Sequence, residues 1–474
     1  MNLFEAIFAH DSASPAILFE QRTISYGALR AETLKMAQVI SSLGAKPGDR
    51  VALLLHDSPE FITAFIAICS LGAIAVPINM SLRADHQSSI LENCGARVVL
   101  KEDDVWNAVA GTSLPEFPDP GPNDAAFILY TSGSTGEPKG AVHRQSHIFY
   151  TNETFCREVL RLTAEDRLFS SSRLPFAYGL GNSFSFPLLN GATTILCREK
   201  PSPDIIARIF KQHRPTIFFA VPVIYNLLLE YHRKSGYLDT SSLRLCVSAG
   251  EALPAHLGEQ WEKEFGVQLL DGIGSTEMLH MFMSNHENEV RYGSSGRLLH
   301  GYEAQLRDEN GGPAPEGKEG NLWIKGESAA IGYWEKPEAT ANTFVNGWVR
   351  TGDLYRCDSD GYWFHMGRSD DCFKSSGRWV SPVEVEGTLL RHPDVARAAV
   401  VEDFDANQLP CACAFVVKHE VESNSRQLEH ELRKLAAESL PRFKQPRKYV
   451  FVSELPYTAT GKIQRFKLRK SLRS

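Results

Sequence analysis

The chain lacks the cysteine and histidine patterns that build metal centres. Its nine cysteines include no Cys-x-x-Cys pair, and no histidine cluster accompanies the two closest ones, Cys411 and Cys413. Structural zinc sites need such ligand groups, so this spacing argues against one. We expect reduced, mostly buried thiols in a cytoplasmic protein.

An excess of positive charge is also missing. Fifty Lys and Arg residues stand against 57 Asp and Glu residues, which gives a net charge of −7. This balance argues against a nucleic-acid-binding surface and against an anchor on acidic membranes. A basic cluster at residues 462–473 is either a solvated helix face or a surface that meets phosphates.

Membrane and export signals are weak. The first residues lack the basic start and long apolar run of a signal peptide. Residues 61–80 carry no charge and are long enough to span a bilayer. Gly72 and Pro77 interrupt this run, which predicts a buried helix over 60–71 and a short strand over 73–78. We therefore expect no membrane partner and no nucleic-acid partner.

Short apolar strands alternate with helices over the first 300 residues, which predicts an α/β fold with parallel sheets covered on both faces. Glycine-rich alternating runs over 296–363 predict a smaller β-rich subdomain, and the segment beyond 370 predicts a compact α+β unit. We expect an N-terminal domain over 1–369 and a C-terminal domain over 370–474. Residues 105–121 are polar and predict a connecting loop. The strands are predicted at 51–55, 73–77, 98–100, 193–196, 216–219, 243–247, 396–402, 412–417 and 448–451, and the helices at 25–43, 202–213, 382–391 and 425–438.

The most informative segment runs from Tyr130 to Gly140, with the sequence Tyr-Thr-Ser-Gly-Ser-Thr-Gly-Glu-Pro-Lys-Gly. It follows an apolar strand and is rich in hydroxyls and glycines, so its backbone can approach phosphate oxygens closely. It is not a Walker A loop, because no hydroxyl residue follows Lys139. The alternative is an ordinary polar loop. The predicted triphosphate cradle comprises Thr131, Ser132, Gly133, Ser134, Thr135, Gly136 and Lys139.

This loop resembles the phosphate loop of the adenylate-forming superfamily, which includes acyl- and aryl-CoA ligases, peptide-synthetase adenylation domains and beetle luciferase. Four further segments resemble that superfamily's motifs in the expected order, and together with the loop they make the resemblance specific. They are Asp271-Gly-Ile-Gly-Ser-Thr-Glu277, Trp348-Val-Arg-Thr-Gly-Asp353, Gly367-Arg-Ser-Asp-Asp371 and Thr460-Gly-Lys462.

The resemblance implies a role for each motif. Glu277 would be the Mg²⁺ ligand, since Mg²⁺ prefers carboxylates together with phosphate oxygens, and Thr276 would bond the α-phosphate. Lys462 would bridge the carboxylate and the phosphate, although composition alone would make it another lysine of a basic tail. Asp353 would accept the ribose hydroxyls, and Arg368 would contact ribose or phosphate. The remaining implied positions are Gly250, Glu251, Asp271, Gly272 and Ser275 for ATP, Asp370 for the interdomain hinge, and Ser376, Gly377 and Arg378 for the loop that serves CoA thiolation.

Within the superfamily the chain is most similar to benzoate-CoA ligases and their aryl relatives. The segments that carry this similarity begin at Pro175, Cys246, Asp271 and Arg368. The departures are a shorter amino-terminal half and a trimmed linker at 105–121. By matching positions, the resemblance implies that the carboxylate pocket comprises Ala177, Tyr178, Gly179, Ala220, Ala249, Gly272, Ile273, Gly274 and His280.

Small residues in this pocket leave a flat slot, and Tyr178 and Ile273 offer apolar surface to a ring. No aspartate occupies the segment Phe176-Ala-Tyr-Gly179, where amino-acid-adenylating domains place a partner for the amine. This favours an uncharged aromatic acid. His280 is either a hydrogen-bond donor to the acid or a satisfied core histidine.

The sequence therefore predicts an ATP- and Mg²⁺-dependent aryl-CoA ligase, monomeric or homodimeric. It would form aryl-AMP and pyrophosphate, rotate its C-terminal domain about Asp370, and transfer the acyl group to CoA. One alternative is an enzyme that loads an aryl acid onto the phosphopantetheine of a carrier protein. Another, from a different class, is a non-catalytic nucleotide-binding protein.

Overall fold

The fold is given by a computed structural model that describes residues 2–102, 117–118, 121, 124–132, 138–376, 378–405, 407–419, 424–457 and 463–472. The strands are β1 (Pro15–Phe19), β2 (Arg22–Ser25), β3 (Arg50–Leu54), β4 (Ile74–Pro77), β5 (Val98–Lys101), β6 (Phe127–Ser132), β7 (Pro138–His143), β8 (Arg167–Ser170), β9 (Thr193–Leu196), β10 (Ile217–Ala220), β11 (Leu245–Ser248), β12 (Leu269–Gly274), β13 (Met281–Ser284), β14 (Arg297–Leu298), β15 (Glu303–Arg307), β16 (Gly320–Lys325), β17 (Phe344–Val345), β18 (Trp348–Cys357), β19 (Trp363–Arg368), β20 (Phe373–Ser375), β21 (Arg378–Val380), β22 (Val395–Phe404), β23 (Pro410–Lys418) and β24 (Lys448–Phe451).

The α-helices are interspersed with the strands, and two of them continue as π-helical turns. They span Leu3–Ile7, Tyr26–Ser42, Pro59–Ser70, Ala84–Cys94, Gln145–Thr151, Ala177–Leu180, Phe186–Leu189, Pro203–His213, Pro222–Ser235, Ala255–Phe265, Pro337–Thr343, Pro382–Leu389, Ser425–Ser439 and Arg465–Ser471. The π-helical segments are Asn152–Leu160 and Gly181–Ser185, and a 3₁₀ turn spans Arg442–Lys444.

Two large sheets form the amino-terminal part of the molecule. The first has nine strands in the order β14-β13-β12-β11-β10-β8-β9-β1-β2, and the second has five in the order β5-β3-β4-β6-β7. The central strands pair in parallel, as the sequence predicts. The antiparallel pairing of β2, β7, β13 and β14 at and near the edges was not predicted. Connections as short as that between β6 and β7 permit only antiparallel pairing.

The charge-free run at 61–80 folds as a buried helix followed by a strand. Ser58 caps the helix by accepting from the Phe61 N–H, and Pro59 occupies the first turn, where its missing N–H costs nothing. Every residue of this helix except Glu60 is buried, and β4 follows it in the five-stranded sheet. Within the described residues, no helix has both the length and the apolar character needed to cross a membrane.

A third sheet joins β15, β16, β18 and β17 in that order, with β19 pairing on β18. It corresponds to the predicted β-rich subdomain, except that β14 belongs to the nine-stranded sheet. Asp353 lies on β18 opposite Arg368, the last residue of β19. This pairing places the two predicted ribose contacts side by side.

The carboxy-terminal part has its own sheet, β22-β23-β24, and a two-stranded hairpin of β20 and β21. Its helices Pro382–Leu389 and Ser425–Ser439 pack on the sheet. Two hydrophobic clusters are built only from residues of this part, one from Phe373 onward and the other from Ala399 onward. An independent core of this kind is expected of a separate domain.

Candidate active site

The predicted acid pocket lies at the carboxyl ends of the parallel strands. Ala220 ends β10, Ala249 follows β11, and β12 ends with the segment from Asp271 to Gly274. In open α/β sheets the crevice beyond these strand ends is where ligands bind. The helical turn Ala177–Leu180 brings Tyr178 to the same place, because the Tyr178 hydroxyl donates to the Val247 carbonyl over 3.0 Å.

Aromatic rings surround His280 in this pocket. Its ring centroid lies 5.6 Å from that of Tyr178, 4.9 Å from that of Phe155 and 4.6 Å from that of Phe186. Burial lowers the pKa of His280 to about 3, so the imidazole is neutral at pH 7. Among the residues that the structure describes, neither ring nitrogen has a hydrogen-bond partner. Gly181 is required beside it, because a Cβ there would lie 2.5 Å from His280 Cδ2.

Asp271 is a buried carboxyl group behind the pocket. Its side chain accepts only a long hydrogen bond from the Leu253 N–H, at 3.4 Å, and its Oδ1 has no partner among the described residues. Burial raises its pKa well above the ordinary value. Burial therefore makes the charged form of this carboxyl group less favourable than it is in water.

Asp353 and Arg368 form an ion pair at the edge of the β-rich sheet. Arg368 Nη1 lies 3.1 Å from Asp353 Oδ1, and His365 Nε2 lies 3.4 Å from the same oxygen. Burial alone would raise the pKa of Asp353, but these two partners outweigh it and hold the pKa below its usual value. A side chain at Gly352, whose φ is +75°, would meet Arg368 Nη2 at 2.7 Å, so only glycine fits there.

The turn that carries Thr276 and Glu277 is held from three sides. His143 Nε2 donates to the Thr276 carbonyl over 2.8 Å, and the Ala330 N–H donates to the Glu277 carbonyl over 2.7 Å. The Tyr333 hydroxyl donates to Glu277 Oε1 over 2.6 Å. Within the described part of the chain, no side chain donates to the second carboxylate oxygen.

Lys139 adjoins the same turn from the phosphate-loop side. It lies on β7 opposite Thr131 of β6, and its Nζ lies 5.6 Å from the centre of the Tyr333 ring. The strands on both sides of the predicted cradle are thus in place. The cradle residues Gly133, Ser134, Thr135 and Gly136 lie outside the described residues.

The predicted hinge residue, Asp370, is exposed in the turn after β19. Its neighbour Asp371 pairs with two arginines of the last helix, Arg469 at 3.1 Å and Arg465 at 3.8 Å. In the predicted thiolation loop, Ser376 is exposed with a φ of +52° and Arg378 lies over the Phe443 ring at 3.9 Å. Gly377 and Lys462 lie outside the described residues.

The residues that flank Lys462 in the chain lie near a predicted ATP contact. Glu251 acts electrostatically on Tyr457 and on Arg465, the described residues on either side of the segment 458–462. Glu251 follows Gly250 at the end of β11, next to the acid pocket. Glu251 is therefore close enough to these two residues of the carboxy-terminal part to influence their pKa values.

The structure brings eight of the predicted site residues together, in two adjoining groups. The group predicted to bind the acid holds Tyr178 and His280, with Asp271, a predicted ATP contact, behind them. The group predicted to bind the nucleotide holds Lys139, Thr276, Glu277, Asp353 and Arg368. Sequence reasoning missed His143, Tyr333 and His365. His143 is a polar residue that ends the apolar strand β7, which is a weak signal, and nothing in the sequence marks Tyr333.

Comparison with known proteins identifies the class. Residues 4–334 match the family described as AMP-binding enzyme, and residues 384–462 match the AMP-binding enzyme C-terminal domain. The chain belongs to the AMP-binding enzyme family.

Three relatives show how far the similarity extends. A benzoate–CoA ligase of Thauera aromatica is 40% identical, covering 91% of this chain and 87% of the relative. The crystal structure of the anthranilate CoA ligase AuaEII in complex with anthranoyl-AMP has a TM-score of 0.93 at 36% identity, covering 99% of this chain and 97% of that one. A benzoate CoA ligase from Burkholderia xenovorans LB400 has a TM-score of 0.89 at 36% identity, covering 99% and 100%.

Proposed function

We propose that this enzyme activates an aromatic carboxylic acid with ATP and transfers the acyl group to CoA, giving aryl-CoA, AMP and pyrophosphate. The observation that carries the proposal is that the turn with Thr276 and Glu277 directly precedes His280, so the residues predicted for the nucleotide adjoin those predicted for the acid. Small and aromatic residues, Tyr178 among them, surround His280 on the predicted acid side, and Lys139, Glu277 and Arg368 supply charged groups on the side predicted for the nucleotide. The relatives that are named as benzoate and anthranilate CoA ligases support the aromatic acid and the CoA acceptor.

The first step joins two anions. A carboxylate oxygen of the acid attacks the α-phosphorus of ATP, and pyrophosphate leaves. Repulsion between the two anions makes positive charge at their meeting point valuable in the transition state. We assign this charge to Lys462, with Lys139 on the outer phosphates and Thr276 on the α-phosphate. The Asp353–Arg368 pair would hold the ribose, with Asp353 as the acceptor of its hydroxyls.

The side chains at this site are suitable ligands for a magnesium ion. Glu277 offers a half-buried carboxylate whose second oxygen accepts no hydrogen bond from the described residues. Mg²⁺ takes such an oxygen together with phosphate oxygens and water. When bound, it neutralises charge on the phosphates. Glu277 would hold it beside the nucleotide.

The second step needs no nucleophilic side chain. The CoA sulfur attacks the carbonyl carbon of aryl-AMP, and AMP leaves with one former carboxylate oxygen. We propose that residues 370–474 form a mobile domain that turns about Asp370 to exchange Lys462 for the loop of Ser376, Gly377 and Arg378. The separate core beyond Phe373 and the exposed turn at Asp370 support this division. A cytoplasmic location fits the nine free cysteines.

Transfer to a carrier protein is not favoured, because the relatives above are CoA ligases. A non-catalytic nucleotide-binding role is disfavoured by the intact set of charged residues around Glu277.

A screen of acids for pyrophosphate release tests the proposal. Benzoates and related heteroaryl acids should give the highest specificity constants, with cyclic and medium-chain acids lower. The reaction should be followed with CoA and with a phosphopantetheinylated carrier. Highest activity on palmitate or on a free amino acid would contradict the pocket assignment, and a requirement for the carrier would contradict the CoA acceptor.

A further inference from the structure

One buried tyrosine links the phosphate-loop strand to the proposed metal carboxylate. Tyr333 is 9% exposed, and its hydroxyl donates to Glu277 Oε1 over 2.6 Å. Its ring lies 5.6 Å from Lys139 Nζ, within the range of a cation–π contact. The carboxylate that would bind magnesium and the lysine that would bind phosphate thus share one aromatic side chain.

The backbone fixes Tyr333 in this position. Ala141 and Tyr333 form an isolated antiparallel bridge, and the Trp334 N–H donates to the Gly140 carbonyl over 2.8 Å. The Tyr333 N–H also donates to Thr340 Oγ1 over 2.9 Å. Tyr333 is therefore attached to β7, the strand that bears Lys139, and its hydroxyl cannot follow Glu277 if that side chain turns.

We propose that Tyr333 is a positioning residue that orients Glu277 for the divalent cation of the nucleotide. The hydroxyl occupies Oε1, and Oε2, which accepts no hydrogen bond from the described residues, is left for the cation. A hydrogen-bonded partner of this kind commonly tunes a ligand's metal affinity. The proposal rests on the proposed function, because it takes Glu277 as the metal ligand.

The test compares Tyr333→Phe with wild type by Mn²⁺ binding, measured by electron paramagnetic resonance in the presence of α,β-methylene ATP. Loss of the hydroxyl should weaken Mn²⁺ binding by about 10–100-fold, the usual effect of removing an outer partner of a metal ligand. Raising the Mg²⁺ concentration should restore much of the pyrophosphate-release rate. The rate of the thioester step, started from synthetic benzoyl-AMP and CoA, should change little. The cation that Glu277 would hold lies on the phosphates of ATP, and neither ATP nor pyrophosphate takes part in this step.

Tyr26→Phe is the matched control. Tyr26 is also buried, and its hydroxyl donates to the Ala192 carbonyl over 2.8 Å, far along the chain from Glu277. This variant loses one buried phenolic hydrogen bond and should bind Mn²⁺ like wild type. Equal loss of affinity in both variants would mean that general destabilisation is responsible, which would overturn the proposal.

If Tyr333→Phe is less stable than wild type, a double-mutant cycle separates the orienting role of Tyr333 from the loss of stability. In the Glu277→Gln background, Tyr333→Phe should cause no further loss of Mn²⁺ affinity, since the group it orients is gone. Additive losses would contradict the positioning role, as would unchanged Mn²⁺ affinity in Tyr333→Phe. Absence of turnover with every aryl acid in wild type would refute the proposed function instead, while Mn²⁺ binding would still report on Tyr333.

Discussion

Lys462 is the residue to which the proposed chemistry gives the largest single effect. Lys462→Ala removes one positive charge from the meeting point of two anions. Loss of one preorganised transition-state contact typically lowers the rate about 10²–10³-fold, and we expect this loss in aryl-AMP formation. The thioester step from synthetic aryl-AMP should suffer far less. Both rates are measured separately by rapid quench.

Lys467→Ala is the control for that experiment, because Lys467 is an exposed lysine on the last helix of the same basic segment. It should leave both half-reactions near wild type. If Lys462→Ala slows the two half-reactions equally, Lys462 does not have the assigned role.

At the scale of single residues, the sequence predicted the charged site residues but not the contacts that orient them. Motif resemblance led to Glu277 and Asp353, whose carboxylates the structure pairs with Tyr333 and with Arg368. It did not lead to Tyr333 or His143, because their partners are 56 and 133 residues away in the chain. A hydrogen bond to a carbonyl or carboxylate across such separations leaves no local pattern in the sequence.

At the scale of elements, the turn after β19 is the predicted pivot. Proline fixes φ near −65° and has no N–H, so Asp370→Pro should hold the chain in one domain arrangement. If that arrangement is the adenylating one, aryl-AMP should form at a near-normal rate while thioester formation collapses. Both half-reactions are measured on one preparation whose melting temperature shows that it is folded.

Asp370→Ala is the matched variant, because it loses the same carboxylate but keeps the N–H and the freedom of φ. It should retain both half-reactions. Normal overall turnover in Asp370→Pro would show that the chain does not pivot at this residue.

Element prediction succeeded where the local signal and the tertiary environment agree. The strand over 193–196 and the strand over 448–451 have the predicted bounds, and the helix predicted over 202–213 spans Pro203–His213, with Ser202 as its cap. The antiparallel edges were missed, because strand direction depends on the path of the connections and not on apolar runs. The predicted linker at 105–121 lies largely outside the described residues.

At the scale of the whole molecule, buried titratable groups predict opposing effects of pH on stability. Burial lowers the pKa of His147 to about 4 and raises the pKa of Asp57 to about 6. As pH falls below about 6.5, the unfolded chain protonates His147 while the folded chain excludes that proton, so stability is lost. Below about 6, the folded chain protonates Asp57 before the unfolded chain does, so stability is gained.

Two substitutions should therefore change the pH dependence in opposite directions. Between pH 6 and pH 4.5, His147→Gln should reduce the loss of unfolding free energy by roughly 1.4 kcal/mol per pH unit, and Asp57→Asn should increase it by a similar amount. Urea unfolding at several pH values measures both slopes. Equal slopes in wild type and both variants would show that neither group titrates differently in the folded state.

In the proposed reaction, the acid is converted to an acyl-adenylate before its acyl group is transferred to CoA. The direct measurement uses benzoate whose carboxylate is labelled with heavy oxygen, incubated with ATP, Mg²⁺ and CoA, with the products analysed by mass spectrometry. If an acyl-adenylate forms, benzoyl-CoA and AMP should appear in equal amounts, AMP should carry one labelled oxygen, and pyrophosphate should carry none. Formation of ADP with the label in inorganic phosphate, or benzoyl-CoA with unlabelled AMP, would contradict it.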